Sequence, residues 1–155
     1  MNDTPMIDLY VVRLDCGGDD PLMTVLNDEP DFTVRGCTAS PAAALTQLAR
    51  TPCAVVLASY EVGESETLDL VRALVERDQP IKVLITDVPR EDEVILHMLE
   101  EGAAGYVCAE ESWADLVKKI HAVAEDEFLV HPDIAATMMS RIAELNLLLI
   151  ELDGG

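Results

Sequence analysis

The chain has 155 residues, of which thirty are acidic and ten are basic, so its formal net charge at neutral pH is −20. This length favours one domain with a single buried core. Because phosphate contacts need clustered Lys and Arg, and only three lysines are present, the composition argues against direct nucleic-acid binding. We interpret the acidity as a solubilising charge rather than as a docking surface.

The sequence contains no membrane or export signal. No window reaches the roughly 18 uncharged apolar residues of a membrane span. The N-terminal segment also lacks the basic region and apolar core of a signal peptide. We therefore expect a cytoplasmic protein that does not contact a membrane.

The four cysteines are Cys16, Cys37, Cys53 and Cys108, and they are widely separated in the sequence. They form no C-x-x-C pair, and no histidine stands at ligand spacing from them. This pattern favours buried thiols over a zinc site or a disulfide framework.

Runs of strand-forming residues alternate with helical patterns along the chain. The predicted strands are Ile7–Val12, Phe32–Gly36, Ala54–Ala58, a run that begins at Ile81, and Gly105–Cys108. The two apolar runs at 54–58 and from 81 are typical of parallel strands that are covered on both faces. The predicted helices begin near Asp20, Ser40, Glu66, Glu91, Ser112 and Pro132. Gly102 is a plausible left-handed helix end.

Such alternation predicts an open parallel sheet with helices on both faces. In a sheet of this kind, ligands bind at the carboxyl ends of the strands. In this chain those ends are residues 13–17, 59–63, 86–90 and 108–111. Any site chemistry is therefore expected in these four loops.

The run EEGAAGYVCAEES, residues 100–112, precedes a W-x-x-L-V-K-K-I helix. Together they resemble the final third of response-regulator receiver domains, the CheY-like fold, and most closely the NarL/FixJ branch. The segment EPDFTVRG, residues 29–36, resembles the same branch. The resemblance implies a five-stranded parallel doubly wound sheet of the flavodoxin/CheY type with an extra C-terminal helix. It also implies a receiver-like domain over residues 1–125.

Receivers need a carboxylate nucleophile after the third strand, a hydroxyl after the fourth and a lysine after the fifth. Aligned without gaps, this chain has Ser59, Asp87 and Ala109 at these positions. A shift of one residue would make Thr86 the hydroxyl instead of Asp87. Neither the acceptor nor the lysine is recovered by such a shift.

Receivers also hold magnesium with two acidic residues after the first strand. Here that place has Arg13 and Leu14, with Asp15 as the residual acidic residue. Arg13 is read as a solvent-facing side chain, with anion binding as the alternative. We therefore expect a degenerate receiver, or pseudo-receiver, that uses no metal or cofactor, accepts no phosphate on an aspartate and is not an enzyme.

The resemblance implies that Tyr106 is the switch aromatic, paired with Thr86 or Asp87. The alternative is a half-buried strand tyrosine with its hydroxyl in water. The dimer face of many relatives would here draw on Leu96, His97, Tyr106, Trp113 and Lys118. We read His97 and His121 as helix-surface residues and His131 as a loop residue.

Residues 126–155 are predicted to form a linker and a C-terminal helix for dimerisation or for connection to an output domain that this sequence lacks. The helix carries Met138, Ile142, Leu145 and Leu149 at helical spacing. The favoured function is a receiver-like signalling module that acts as a homodimer or with a partner protein and controls transcription through such an output domain. The alternative is a small flavodoxin-like protein that binds a ligand or nucleotide.

Overall fold

A computed structural model describes residues 6–16, 20–77, 81–127 and 129–154, with side chains as far as Leu149. Residue 17, at the edge of the first strand-end loop, lies outside the described residues. The strands are β1 (Ile7–Val12), β2 (Phe32–Thr38), β3 (Val55–Ser59), β4 (Lys82–Val88) and β5 (Gly105–Cys108). The helices are α1 (Pro21–Asp28), α2 (Pro41–Arg50), α3 (Glu64–Val75), α4 (Asp92–Glu100), α5 (Trp113–Ala124) and α6 (Pro132–Gly154).

The strands form one parallel sheet in the order β2-β1-β3-β4-β5. The order reverses direction at β1, so the carboxyl ends of β1 and β3 lie side by side. The prediction of a five-stranded, doubly wound parallel sheet with a C-terminal helix is confirmed. The fully buried pattern of β3 and β5 explains why neither strand alternates polar and apolar residues.

Two hydrophobic clusters lie on opposite faces of the sheet. On one face α1 and α5 bury residues such as Leu26 and Ile120. The other face is covered by α2, α3 and α4, and Ile134 of α6 is buried in the same cluster. Helix α6 thus begins as a part of the domain core.

The helix starts follow the caps that the sequence indicates. The Asp20 side chain accepts a hydrogen bond from the Leu22 N–H, and Ser112 forms a reciprocal capping box with Asp115. Gly102 follows α4 with a φ of 116°, a left-handed conformation that suits glycine. Helix α3 begins two residues earlier than expected, after a short 3₁₀ turn at Tyr60–Val62.

Two of the four cysteines are joined by a disulfide bond between Cys16 and Cys37, which corrects the expectation of free thiols. Cys37 pairs with Val11 in the sheet, so the end of β2 lies beside the segment that follows β1. This proximity comes from strand pairing and leaves no mark in the cysteine spacing. Cys53 and Cys108 are free, half-buried and buried respectively.

Helix α6 changes character along its length. Its first turns are anchored by Ile134 and by Met138, which is partly buried against the core. Arg141 then pairs with Glu93 and Glu100 of α4. The side chains of Met139, Ile142, Leu145, Leu147, Leu148 and Leu149 are exposed, and all of them except Met139 lie beyond Arg141. Within the described ranges, no helix is both long and apolar enough to cross a membrane.

Candidate functional site

The candidate site lies where β3 and β4 end. Ser59 pairs with Thr86 in the sheet, and both side chains are buried. The register of β4 against β5 is irregular between Ile85 and Val88. Within this irregularity, Asp87 has a φ of 58°, a conformation that non-glycine residues adopt rarely.

The unusual backbone of Asp87 coincides with a turn of its carboxylate toward β3. Its Oδ2 atom accepts a hydrogen bond of 2.7 Å from the Ser59 hydroxyl and one of 3.2 Å from the Thr86 hydroxyl. Both residues that the sequence offered for the hydroxyl position, Thr86 and Asp87, therefore meet at the Ser59 side chain. The Ser59 hydroxyl also caps the next turn by accepting from the Glu61 N–H at 3.2 Å.

Arg13 supplies the positive charge of the site. Its Nη1 atom lies 3.1 Å from Asp87 Oδ2, and its Nε atom lies 2.9 Å from Asp20 Oδ2. The Arg13 side chain is only 18% exposed, so its interpretation as a solvent-facing arginine is wrong. The anions that it holds are two carboxylates of its own chain.

The acidic residue that joins this network is Asp20 rather than Asp15. Asp15 is exposed, whereas the side chain of Asp20 is 2% exposed and bonds both Arg13 and the Leu22 N–H. The sequence identified Asp20 only as the start of a helix. Its second role needs the folded loop, which brings the start of α1 against the end of β1.

Ala109, which the resemblance to receivers assigned to the lysine position, directly follows β5 and is exposed. The buried lysine of this region is Lys119 in α5, which sequence reasoning missed. Its Nζ atom donates to the Tyr106 carbonyl at 2.7 Å and pairs with Glu111 at 3.0 Å. The ammonium group also lies 4.5 Å from the centre of the Tyr106 ring, a cation–π contact.

Tyr106 is 0% exposed, so the alternative of a half-buried tyrosine with its hydroxyl in water is wrong. Its hydroxyl oxygen accepts a hydrogen bond of 2.9 Å from the backbone N–H of His131. Burial raises the pKa of the Tyr106 hydroxyl. The proposed switch residue is therefore joined to the segment that leads into α6.

The predicted dimer face is only partly at the surface. Leu96 and Tyr106 are buried within the domain, so their assignment to an interface needs correction. Both side chains belong to the core cluster on this face of the sheet. The remaining exposed members are His97, Trp113, Lys118, Ile142, Leu145 and Leu149, while Met138 is half-buried. The interface itself remains a prediction.

A cavity of about 100 Å³ opens beside the network. Arg13, Asp87 and Ala109 lie in its wall together with Trp113. Ligand pockets for small molecules are usually about 300–1,000 Å³ in volume. This cavity gives no specific support to the alternative of a nucleotide-binding protein.

The fold is shared with known signalling proteins. No protein-family model matches the sequence. The chain is 23% identical over 91 residues to the transcriptional regulatory protein DegU of Brevibacillus brevis, a match that covers 59% of this chain and 39% of DegU. The chain therefore spans about two fifths of the length of this curated relative.

Two solved structures show the likeness in three dimensions. The signal receiver domain of the response regulator NarL from Mycobacterium tuberculosis matches with a TM-score of 0.68 and 21% identity, over 78% of this chain and 98% of that one. A LuxR-family two-component response regulator from Aurantimonas sp. SI85-9A1 matches with a TM-score of 0.72 and 20% identity, over 89% and 99% of the two chains. At these identities the likeness shows the fold, which is that of response-regulator receivers.

Proposed function

We propose that this chain, which has the fold of response-regulator receiver domains, is a receiver-like module of two-component signalling that works without phosphorylation. One observation carries the proposal. Ser59 stands at the acceptor position, and its hydroxyl donates to a carboxylate, that of Asp87, which Arg13 already holds. The site thus combines acidic side chains with one basic side chain, as receivers do, but here the basic group is Arg13 and it pairs with Asp20 and Asp87.

This arrangement disfavours transfer of a phosphoryl group to Ser59. A serine hydroxyl is a weak nucleophile unless a base takes its proton. The nearest carboxylate is that of Asp87, at 2.7 Å, but the same Oδ2 atom is already engaged by Arg13 and by the Thr86 hydroxyl, so it is not free to act as a base. Phosphorylation of Ser59 is therefore expected to be negligible.

The same ion pairs disfavour magnesium. A divalent cation binds where carboxylate oxygens are free to surround it. Here the guanidinium of Arg13 bridges the carboxylates of Asp20 and Asp87 and neutralises them in part. A metal ion would have to displace Arg13 from both partners.

We infer that output passes through α6. The exposed apolar side chains beyond Arg141 favour contact with a second copy of this chain, since burying them would remove them from water. The net charge of −20 does not support direct contact with nucleic acid. Control of transcription would then depend on an output domain or a partner protein, as the length of the DegU relative suggests.

The proposal is tested by incubating the chain with acetyl phosphate and magnesium and measuring its intact mass. We expect no phosphoryl adduct, while a receiver with an acceptor aspartate, treated in parallel, gains one. A substantial adduct on this chain would contradict the proposal.

An amide NMR titration with beryllium fluoride and magnesium provides an independent test. Beryllium fluoride mimics an aspartyl phosphate, so the resonances of Ser59 and Tyr106 should remain unchanged. Light scattering on the same sample should show a mass that does not depend on the additive. Shifts at both residues together with a change of mass would show that the site still switches.

A further inference from the structure

Three side chains of types that bind metal ions lie close together at the carboxyl end of β5, although they come from separate segments of the chain. Cys108 ends the strand, Glu111 lies in the turn before α5, and His131 precedes α6. The Cys108 sulfur, a Glu111 carboxylate oxygen and an imidazole nitrogen of His131 all lie within 4.8 Å of one another. We propose that this Cys108 cluster binds a zinc-type transition metal ion and that the metal fastens the segment before α6 to the end of β5.

The donor set suits zinc better than magnesium or calcium. Zinc binds thiolate, imidazole and carboxylate, whereas the harder cations take mainly oxygen. Tetrahedral zinc places such donors about 3.5 Å apart, so the cluster needs side-chain movement on the order of 1 Å. Three protein ligands leave the fourth position open to water.

The backbone of the cluster is already fixed. A carboxylate oxygen of Glu111 accepts from the Cys108 N–H at 2.6 Å, which holds the turn closed. The His131 N–H donates to the Tyr106 hydroxyl at 2.9 Å, which holds the linker against the sheet. Metal binding therefore has to order side chains only, and little backbone entropy is lost.

Lys119 is the internal competitor of the metal. Its ammonium group lies 3.0 Å from the Glu111 carboxylate, and a cation at this distance weakens the binding of a second one. Lys119 keeps two other contacts, with the carbonyl and the ring of Tyr106. It can thus yield the carboxylate to a metal ion without losing all its partners.

Two cavities give access to the cluster, and Glu111 lies in the wall of both. The larger, of about 300 Å³, is also lined by His131 and Asp115. The smaller, of about 100 Å³, is also lined by Cys108. The cysteine is only 2% exposed, and of the two cavities only the smaller has this residue in its wall.

A bound metal would replace the thiol proton of Cys108. The metal would also connect His131 to β5 a few residues from Tyr106. Occupancy of the cluster would therefore control how firmly α6 is attached, without any role for phosphate.

The experiment uses cobalt(II) as the probe on the full chain, freed of metal with a chelator and kept without reductant to preserve the disulfide. We expect one equivalent to bind, with a thiolate-to-cobalt charge-transfer band that zinc abolishes by displacement. Cys108→Ser should remove the band, and His131→Gln should weaken binding by more than about tenfold. The matched controls, Cys53→Ser and His97→Gln, should bind like the unchanged chain.

Lys119→Met separates this site from adventitious binding, because it removes the competing cation and should tighten cobalt binding several-fold. Absence of the charge-transfer band at excess cobalt would overturn the proposal. So would a band that survives in Cys108→Ser and is lost in Cys53→Ser. If Cys108→Ser does not fold, X-ray absorption of the zinc-loaded unchanged chain decides: one sulfur ligand supports the site, and none contradicts it.

Discussion

Arg13 and Asp87, which are 74 residues apart in the sequence, form an ion pair with an Nη1–Oδ2 distance of 3.1 Å at the edge of the sheet. The same carboxylate oxygen accepts a hydrogen bond from the Ser59 hydroxyl. A positive side chain of the protein thus stands among the acidic groups of the site.

Arg13→Met should destabilise the chain by about 3 kcal/mol, because it leaves the buried carboxylate of Asp20 and the partly buried one of Asp87 without their cation. Magnesium should raise the melting temperature of this variant and leave that of the unchanged chain unaltered. The control Arg35→Met breaks a more exposed pair with Asp8 and should cost about 1 kcal/mol or less. Equal responses to magnesium in both chains would contradict the role of Arg13.

Tyr106→Phe removes the hydroxyl that accepts the His131 N–H. We expect a loss of about 1 kcal/mol in the free energy of unfolding, since a half-buried backbone donor loses its partner. Amide hydrogen exchange at His131 should become faster, while exchange in β3 stays the same. Tyr60→Phe is the matched control, because that hydroxyl bonds the exposed Glu64. Unchanged exchange at His131 would argue against the link between β5 and the linker.

Replacing both Leu145 and Leu149 by Gln should convert a dimer to a monomer, as measured by light scattering after size exclusion. Both side chains are exposed in the single chain and lie at helical spacing. Glu144→Gln, a change at a neighbouring exposed position, should leave the mass unaltered. If the unchanged chain is already a monomer, α6 is not a dimer contact.

The disulfide predicts the thiol count. Two thiols should react in denaturant without reductant, and all four cysteines should react after reduction. Cys16→Ser should lower the free energy of unfolding by roughly 3 kcal/mol by the chain-entropy estimate. Four reactive thiols without reductant would instead agree with the reducing cytoplasm that the sequence led us to expect.

The buried Cys53 thiol should make the stability of the folded chain fall at alkaline pH. Burial raises the pKa of its thiol from 9.0 to about 11. Below pH 9 the thiol is neutral in both the folded and the unfolded chain, so its contribution to stability is fully present. This contribution is lost as the pH rises from 9 through about 11, because the unfolded chain releases the thiol proton at a lower pH than the folded chain does. Cys53→Ala should therefore lose less stability than the unchanged chain between these pH values, as measured by urea unfolding. If both chains lose the same stability over this pH range, the raised pKa does not belong to Cys53.

Several elements could be predicted because their signals are local. Asp20 before Pro21 and Ser112 before Trp113 mark helix starts through bonds made within one turn. The continuous apolar run of β3 indicates a strand that is buried on both faces, as expected for a parallel strand covered by helices. The chain order of such elements led to the doubly wound sheet.

The site was predicted less completely. Ser59, Thr86 and Asp87 were expected together, since strand ends meet at one edge of a parallel sheet. The partners of Arg13 were not, because its contact with Asp87 depends on an irregular register and a left-handed backbone at that aspartate. The buried position of Lys119 was not predicted, because a lysine in an amphipathic helix normally faces water.

The sequence by itself determined the helices and the strands, because these follow from residue identity and short-range periodicity. Tertiary structure alone decided which distant groups touch: Arg13 with Asp87, Cys16 with Cys37, and Cys108 with Glu111 and His131. Each of these contacts involves a residue at or just after the carboxyl end of a strand. Their proximity is fixed by sheet order and register, which no single segment of the chain encodes.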